Sequence, residues 1–390
     1  MNHIKYGLAT DSWDHKEIEA INEVIKSNRY TMGPKVKEFE NSFADRFGSK
    51  YAVMVNSGSS ANLLAVASLL YSDKYDLSPG DEIIVPAVSW STTFYPVSQY
   101  NLKLVFVDVN LDTLNLDDEC IEDAITEKTK AIFAVNLLGN PCHFKNLKKI
   151  CDSHNLILIE DNCESLGAIY DNKFTGTFGS IGTFSFFFSH HMQTMEGGMI
   201  LTNDEELQHL CISLRAHGWI RDLPEINHIS NKIGDPFKDS FRFVTPGYSV
   251  RPLEMSGAIG LVQLSKVEGF IDQRRKNAIF FNSLFENEKN ILIQKETGRS
   301  SWFGFSLILK NELKNKRNEF VSMLRKNNVE CRPIVAGNFT KNPVIEYLNH
   351  AISGNLKNAE NIDNNGLFIG NDHRDLEENI NYFYKLYRKF

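Results

Sequence analysis

The stretch YAVMVNSGSSANLLAVASLL, residues 51–70, has the form of a buried strand, a Gly/Ser turn and an apolar helix. Further strand signals follow at residues 81–86, 102–109, 131–139 and 156–161, and residues 144–154 read as a helix between the last two. Upstream, Val36, Phe39, Phe43 and Phe47 fall on one helix face. Strands that alternate with helices predict an α/β fold, in which a mostly parallel sheet is covered on both faces.

The pattern changes after Pro252. Residues 253–285 form one long helical stretch, followed by a strand at 301–309, a helix at 316–327 and a strand at 329–335. This order is typical of a smaller α+β unit joined to the first by a long helix. We therefore predict a large α/β domain over residues 1–252 and a small C-terminal α+β domain over residues 253–390.

Composition narrows the class of protein. The chain has 390 residues, of which 42% are hydrophobic and 23% charged, enough for a full core. Its net charge of −7 argues against a nucleic-acid-binding protein. No apolar run approaches the ~18 residues of a membrane span, and the first residues lack a signal-peptide pattern. The six cysteines form no C-x-x-C pair, which predicts free thiols rather than a metal site. We expect a cytoplasmic enzyme without metal.

A Gly/Ser turn joins the strand to the helix in the opening stretch. Backbone N–H groups at a helix start favour an anion such as phosphate. Gly58 permits close approach of a ligand, and Ser59 supplies a hydroxyl. The alternative is an ordinary helix N-cap, because serine is among the leading cap residues.

Two other residues follow predicted strands. Asp161 comes directly after the strand in LILIEDNCES, where a carboxylate can pair with a protonated pyridine nitrogen or simply cap a helix. Trp90, in VPAVSWSTTFYP, can stack on a flat ring or belong to the core. Neither motif decides between its alternatives when taken alone.

The order of these motifs carries a resemblance. The phosphate turn, the aromatic residue, the strand-end aspartate and SFFFSHHMQTMEGGMI (185–200) resemble the sugar aminotransferase family of fold-type I pyridoxal-phosphate enzymes. Residues 31–66 are similar to the family's opening, and PGYSVRPLEMSGAIG (246–260) to a later signature. The resemblance implies the aspartate aminotransferase fold, with a mostly parallel seven-stranded sheet in the large domain. It also implies a homodimer with active sites shared between subunits.

His190 is the main departure from the family. In most members a lysine at this position forms a Schiff base with the cofactor, and an imidazole has no primary amine with which to do so. Its ordinary pKa of ~6.5 suits proton transfer near neutral pH. The resemblance therefore implies an untethered pyridoxamine phosphate, regenerated from pyridoxal phosphate by L-glutamate, and His190 as the base. The implied reaction is removal of the C3 hydroxyl from a nucleotide-linked 4-keto-6-deoxy sugar, with GDP resting on resemblance alone.

The resemblance also assigns binding residues. Gly58, Ser59 and Ser185 would hold the cofactor phosphate, Trp90 would stack on the ring, Asp161 would pair with the ring nitrogen, and Glu164 would lie nearby. Four further residues are candidates for the substrate or its diphosphate, although each arginine can equally be a surface ion pair: His217, Arg221, Arg251 and Arg332.

Two features bear on these assignments. Ser249 stands where the family usually has asparagine, which puts in doubt a contact with the partner subunit's cofactor phosphate. Residues 216–237 hold no cysteine, whereas a related group of sugar 3-dehydratases carries an iron–sulfur cluster on cysteines after this turn. We therefore predict no iron–sulfur cluster.

Two other functions stay open at this stage. An aminotransferase would use the same cofactor and stop at the amino sugar, but the missing lysine argues against it. A catalytically inactive fold serving as a binding protein would explain the missing lysine. It would not explain why Asp161, Ser185 and the phosphate turn are all present.

Overall fold

A computed structural model of the protein describes residues 5–390. Within this range the chain forms twelve α-helices: α1 (His15–Ser27), α2 (Pro34–Phe47), α3 (Gly58–Leu70), α4 (Ser91–Gln99), α5 (Asp118–Ala124), α6 (Phe144–His154), α7 (Glu205–Leu214), α8 (Pro236–Asp239), α9 (Glu254–Phe285), α10 (Arg317–Lys326), α11 (Lys357–Asn365) and α12 (Glu377–Tyr387). None of them is both long and apolar enough to cross a membrane.

The same residues form thirteen strands: β1 (Tyr51–Val55), β2 (Glu82–Pro86), β3 (Lys103–Val107), β4 (Thr129–Val135), β5 (Ile157–Asp161), β6 (Ile169–Tyr170), β7 (Lys173–Phe174), β8 (Ile181–Ser185), β9 (Gly198–Thr202), β10 (Ile291–Ile293), β11 (Gly304–Leu309), β12 (His350–Ile352) and β13 (Gly366–Gly370). Short 3₁₀ turns lie at Leu137–Gly139, Asn311–Leu313, Phe339–Lys341 and Pro343–Tyr347.

Eight strands make the large sheet, in the order β1-β9-β8-β5-β4-β2-β3-β12. Only β9 runs against the others, since it pairs antiparallel with both neighbours. The carboxyl ends of the remaining strands therefore meet at one edge. The prediction of a mostly parallel sheet is confirmed, and residues 51–202 supply the seven strands expected of the large domain. The eighth strand, β12, has only three residues and pairs parallel to β3, so it carries too short a pattern to read from sequence.

Both faces of the large sheet are covered. On β2, Ile83 and Ile84 point to opposite faces, where one core forms under α3, α4 and α7 and another under α5 and α6. This is why the central strands read as continuous apolar runs. A third core joins α2 to the first half of α9. There a Cβ on Gly257 would lie 2.7 Å from the Val36 backbone, so only glycine permits this helix contact.

The C-terminal residues form a second, smaller core. Strands β10, β11 and β13 make an antiparallel sheet, and the second half of α9 packs on it through Phe281 and Phe285. Tyr6 lies before residue 252 but belongs to this smaller core, and β12 lies after residue 252 but pairs in the large sheet. Each of these segments therefore packs with the unit on the other side of the predicted boundary. The domain boundary stays a prediction. The strand predicted at 329–335 is wrong, because only Val329 and Arg332 form isolated bridges there.

Candidate active site

A cavity of about 340 Å³ opens at the carboxyl edge of the large sheet. The turns that follow β1, β2, β4, β5 and β8 form most of its wall. The C-terminal segment closes one side with Phe303, Arg332, Val335 and Phe368. Seven of the residues predicted from sequence line this one space: Gly58, Ser59, Trp90, Asp161, Glu164, Ser185 and His190. Arg332 is the eighth.

The start of α3 forms one end of the cavity. Ser57 caps the helix by accepting the Ser60 N–H at 3.1 Å, so the first-turn N–H groups of Gly58 and Ser59 lack an intrahelical acceptor. A Cβ on Gly58 would lie 2.5 Å from the Ser185 Cβ, so glycine keeps this corner open. Capping and anion binding are therefore compatible here, because the cap uses Ser57 and leaves its neighbours facing the cavity.

Asp161 ends β5 and is only 5% exposed. Its Oδ2 accepts hydrogen bonds from Asn62 Nδ2 and Thr93 Oγ1, each at 2.8 Å, and its Oδ1 accepts the Cys163 N–H at 3.1 Å. The sequence analysis missed Asn62 and Thr93. Asn62 carried a signal, since it is an amide side chain at the start of the mostly apolar run ANLLAVASLL.

Trp90 is 57% exposed and lies at the N-cap of α4, on the cavity wall. The alternative that it belongs to the hydrophobic core is therefore wrong. An exposed indole beside a cavity is suited to stacking against a flat ring.

The two adjacent histidines have different surroundings. The His190 ring lines the cavity, packs against Phe303 at 5.2 Å between ring centroids, and places Nδ1 3.5 Å from Ser189 Oγ. Burial, with repulsion from Arg332, lowers the pKa of His190 to about 3, so the imidazole is neutral. The His191 ring is 2% exposed and its Nε2–H donates to the Ser301 carbonyl at 3.0 Å. His191 thus makes a structural contact away from the cavity.

Glu164 lies at the cavity wall near Arg332. Its Oε2 accepts the Leu138 N–H at 3.1 Å. Burial raises the pKa of this carboxyl from 4.5 to about 7, although Arg332 and the Leu138 N–H oppose the shift. Glu164 is therefore close to half-protonated at neutral pH, which suits a group that donates or accepts a hydrogen bond at a cofactor ring.

This shift predicts a pH-dependent cost in stability. Because the folded pKa of Glu164 is the higher one, the folded protein holds more protons between about pH 4.5 and 7, and its stability falls as pH rises through that window. Glu164→Gln removes the cost. We expect the free energy of unfolding of the variant, taken relative to the wild type, to be higher at pH 8 than at pH 5 by on the order of 2 kcal/mol. Denaturant unfolding of the cofactor-free proteins measures this. A difference between variant and wild type that is the same at pH 5 and at pH 8 would contradict the prediction.

Four predicted residues lie elsewhere. Arg251 Nη2 is 3.2 Å from His217 Nε2 and donates to Ser249 Oγ at 3.4 Å. The Arg221 guanidinium stacks 3.8 Å from the Trp219 ring centre. None of His217, Arg221, Ser249 and Arg251 lines the cavity formed by residues 5–390 of the same chain. Their polar groups instead form a separate cluster around Trp219.

The cavity wall, as far as residues 5–390 form it, includes no lysine. No group of three or more His, Cys, Asp or Glu side chains in this range is placed to hold a metal ion. The absence of a metal or an iron–sulfur cluster in the working protein stays a prediction.

Comparisons with known proteins agree with this geometry. The chain is 54% identical over 388 residues to GDP-4-keto-6-deoxy-D-mannose 3-dehydratase of Yersinia pseudotuberculosis, with 99% of each chain covered. It is similar to the solved structure of the Escherichia coli GDP-4-keto-6-deoxy-D-mannose-3-dehydratase with bound hydrated PLP, with a TM-score of 0.97, 52% identity, and coverage of 99% of this chain and 100% of that one. A GDP-4-keto-6-deoxymannose-3-dehydratase structure with a trapped PLP-glutamate geminal diamine matches with a TM-score of 0.96, 52% identity and coverage of 98% and 99%.

The family comparison covers almost the whole chain. Residues 11–382 match the DegT/DnrJ/EryC1/StrS aminotransferase family. The predicted fold class, an aspartate aminotransferase-like α/β fold, is confirmed by the solved structures. The protein therefore belongs to the DegT/DnrJ/EryC1/StrS aminotransferase family.

Proposed function

We propose that this protein removes the C3 hydroxyl of GDP-4-keto-6-deoxy-D-mannose as water, giving GDP-4-keto-3,6-dideoxy-D-mannose. One observation carries the proposal: in the part of the chain that the structure describes, the cavity keeps the aspartate and the phosphate turn of a pyridoxal-phosphate site but presents His190 and no lysine. The relatives at 54% and 52% identity support it, since they are named as enzymes of this reaction. We place the product in the colitose branch of O-antigen synthesis, as the resemblance implies.

The residues present fit pyridoxal phosphate or pyridoxamine phosphate. The open N–H groups at the start of α3, with Ser185 beside them, suit the phosphate. Asp161 lies on the cavity wall with an acceptor position still open on Oδ1, and Trp90 offers a flat face. When bound, this cofactor supplies an amine that can condense with a ketone and a ring that accepts electrons. L-Glutamate would renew the amine, which fits the PLP-glutamate adduct of the relative.

His190 is the group that moves a proton. A base must be unprotonated to take a proton, and burial keeps the His190 ring neutral. The same burial lowers its pKa to about 3, below the ordinary ~6.5 expected from sequence, which makes the ring a weaker base in the protein without ligands. Ser189 Oγ lies 3.5 Å from Nδ1, and the tautomer in which Nδ1–H donates to it leaves the lone pair of Nε2 to take the proton. The Phe187 and Phe303 rings pack edge-on against the imidazole and limit its rotation. Among the described residues, Arg332 is the arginine that lines the cavity, and it is the best placed of the candidates for the substrate's negative charge.

The remaining assignments involve a second subunit. The cluster of His217, Arg221, Ser249 and Arg251 lies outside the cavity of its own chain, which fits a homodimer in which it serves the neighbouring site. In that arrangement the Ser249 hydroxyl takes the place of the family's asparagine amide as a contact to the cofactor phosphate of the neighbouring subunit. The six cysteines are all free, which fits a reducing compartment, and we place the reaction in the cytoplasm.

Product analysis tests the proposal. The protein is incubated with pyridoxal phosphate, L-glutamate and the GDP-, CDP- or dTDP-linked 4-keto-6-deoxy sugar, and the products are identified by mass spectrometry. We expect a 4-keto-3,6-dideoxy sugar and ammonia from the GDP substrate, and no turnover when glutamate is left out. An amino sugar as product would show an aminotransferase instead. No product from any of the three sugars would favour an inactive fold with a binding role.

A further inference from the structure

Hydrogen-bond donors fill most of the acceptor positions of the Asp161 carboxylate. A carboxylate accepts about four hydrogen bonds, two on each oxygen. Asn62 and Thr93 together occupy Oδ2, and the Cys163 N–H takes one position on Oδ1. The Cys163 thiol also lies within reach of this carboxylate, but a thiol is a weak donor, so the fourth position, on Oδ1, is left for a charged N–H of a ligand in the cavity that Asp161 lines.

The two donors to Oδ2 are themselves held in place. Thr93 has a single hydroxyl hydrogen, which goes to the carboxylate, so the 2.9 Å contact between Ser89 and Thr93 has Ser89 as donor. The Thr183 hydroxyl donates to Asn62 Oδ1 at 2.5 Å. This bond fixes which end of the Asn62 amide faces Asp161. Each donor to Oδ2 is thus oriented by a second hydroxyl behind it.

All five side chains of this network are at least 95% buried. A buried carboxylate without donors avoids its charge by taking up a proton, and a protonated carboxyl cannot pair with a cationic ring. The network therefore has two effects on Asp161. It supplies hydrogen bonds that a buried carboxylate needs, and it fills Oδ2, so that the position left open is on Oδ1.

We propose that Asn62 and Thr93 are positioning residues that reserve Oδ1 of Asp161 for the protonated ring nitrogen of the bound cofactor. Thr93 does not line the cavity, and Asn62 lines it with its amide N–H engaged by Asp161, so in this assignment both act through the aspartate. The inference rests on the proposed function only in requiring a pyridine cofactor, and it is independent of the sugar and of the reaction.

The test compares two ligands that differ at one ring atom. Dissociation constants are measured for pyridoxal phosphate and for its 1-deaza analogue, which carries C–H in place of the ring nitrogen. Thr93→Val keeps the shape of the side chain and removes the hydroxyl, and Asn62→Leu does the same for the amide. We expect each to weaken pyridoxal phosphate by about tenfold or more, the effect of a hydrogen bond to a charged group, and the deaza analogue by less than about twofold.

Two controls make the result decisive. Thr93→Ser restores the hydroxyl and should restore the wild-type affinity for pyridoxal phosphate. Thr202→Val makes the same chemical change at a buried threonine that bonds to Ser180 outside the cavity, and it should alter neither constant. If Asn62→Leu does not fold, the Thr93 series decides alone.

Equal weakening of both ligands by Thr93→Val would mean a structural role only and would overturn the inference. So would unchanged binding of pyridoxal phosphate. Because no sugar is present, failure of the proposed dehydration leaves this result standing, and the two can be told apart.

Discussion

Replacing His190 by asparagine is expected to lower the turnover of the 4-keto sugar by about 10²–10⁴-fold, the usual loss when a general base is removed. Asparagine keeps a polar side chain of similar reach, but it cannot take a proton at neutral pH. The cavity wall otherwise stays as it is, so pyridoxamine phosphate and the GDP-sugar should still bind. Steady-state kinetics and cofactor titration separate the two effects: the change belongs in kcat, with the dissociation constants close to wild type.

His191→Asn is the matched control, since it makes the same change one residue along the chain. The variant loses the ring's hydrogen bond to the Ser301 carbonyl and its packing on Phe303, so its melting temperature should fall. Its turnover should stay close to wild type, because the ring does not line the cavity. If His191→Asn were the inactive variant and His190→Asn turned over normally, the assignment of the base would be wrong.

Asp161→Asn should lower kcat by roughly 10²–10³-fold, comparable to removing one group that stabilises charge as it develops in the transition state. The amide has nearly the shape of the carboxylate, and its oxygen can still accept from Asn62 and Thr93. It carries no charge, however, and so cannot hold a ring nitrogen in its protonated form. The ring then accepts electrons less readily, and the deprotonation that His190 carries out becomes slower.

The absorption spectrum of the bound cofactor, recorded against pH, gives a second readout for Asp161→Asn. The ring nitrogen should lose its proton at a lower pH than in the wild type, and the absorption band should shift at that lower pH. Asp204→Asn is the matched control. Asp204 caps α7 through the Glu206 N–H, outside the cavity, and asparagine is as good a cap. A wild-type kcat in Asp161→Asn would remove the ring-nitrogen contact from the mechanism.

The sequence was sufficient for features that depend on strand order. Gly58, Asp161 and Ser185 are far apart in the chain, yet each directly follows or ends a strand of one parallel sheet. Parallel strands bring such residues to a common edge, so their meeting in one cavity could be predicted without coordinates. His190 could be recognised because it replaces a residue whose chemistry is well defined, and the structure places its ring in that cavity.

Other features depend on contacts with no local pattern. Asn62 and Thr93 lie on different helices, and only the packing of α3 against α4 brings both to Asp161. The apolar run at residues 329–335 reads as a strand, but it forms only single bridges to the chain start and to β13. The Trp219 cluster joins two loops through side-chain contacts. Nothing in the sequences of these loops shows that they lie outside the active-site cavity of the same chain.

The short strand β12 has a consequence for how the protein is made. It covers the outer edge of β3, yet residue 350 leaves the ribosome long after β3 ends at residue 107. Until then the nascent large sheet presents a row of unpaired backbone groups, the kind of edge on which other chains can add a strand. Synthesis proceeds from the N-terminus and domains generally fold as units, so this edge is exposed during most of translation. Three residues near the end of the chain thus complete a sheet that began to form near its start, so the outer edge of β3 stays unpaired until the chain is almost fully synthesised.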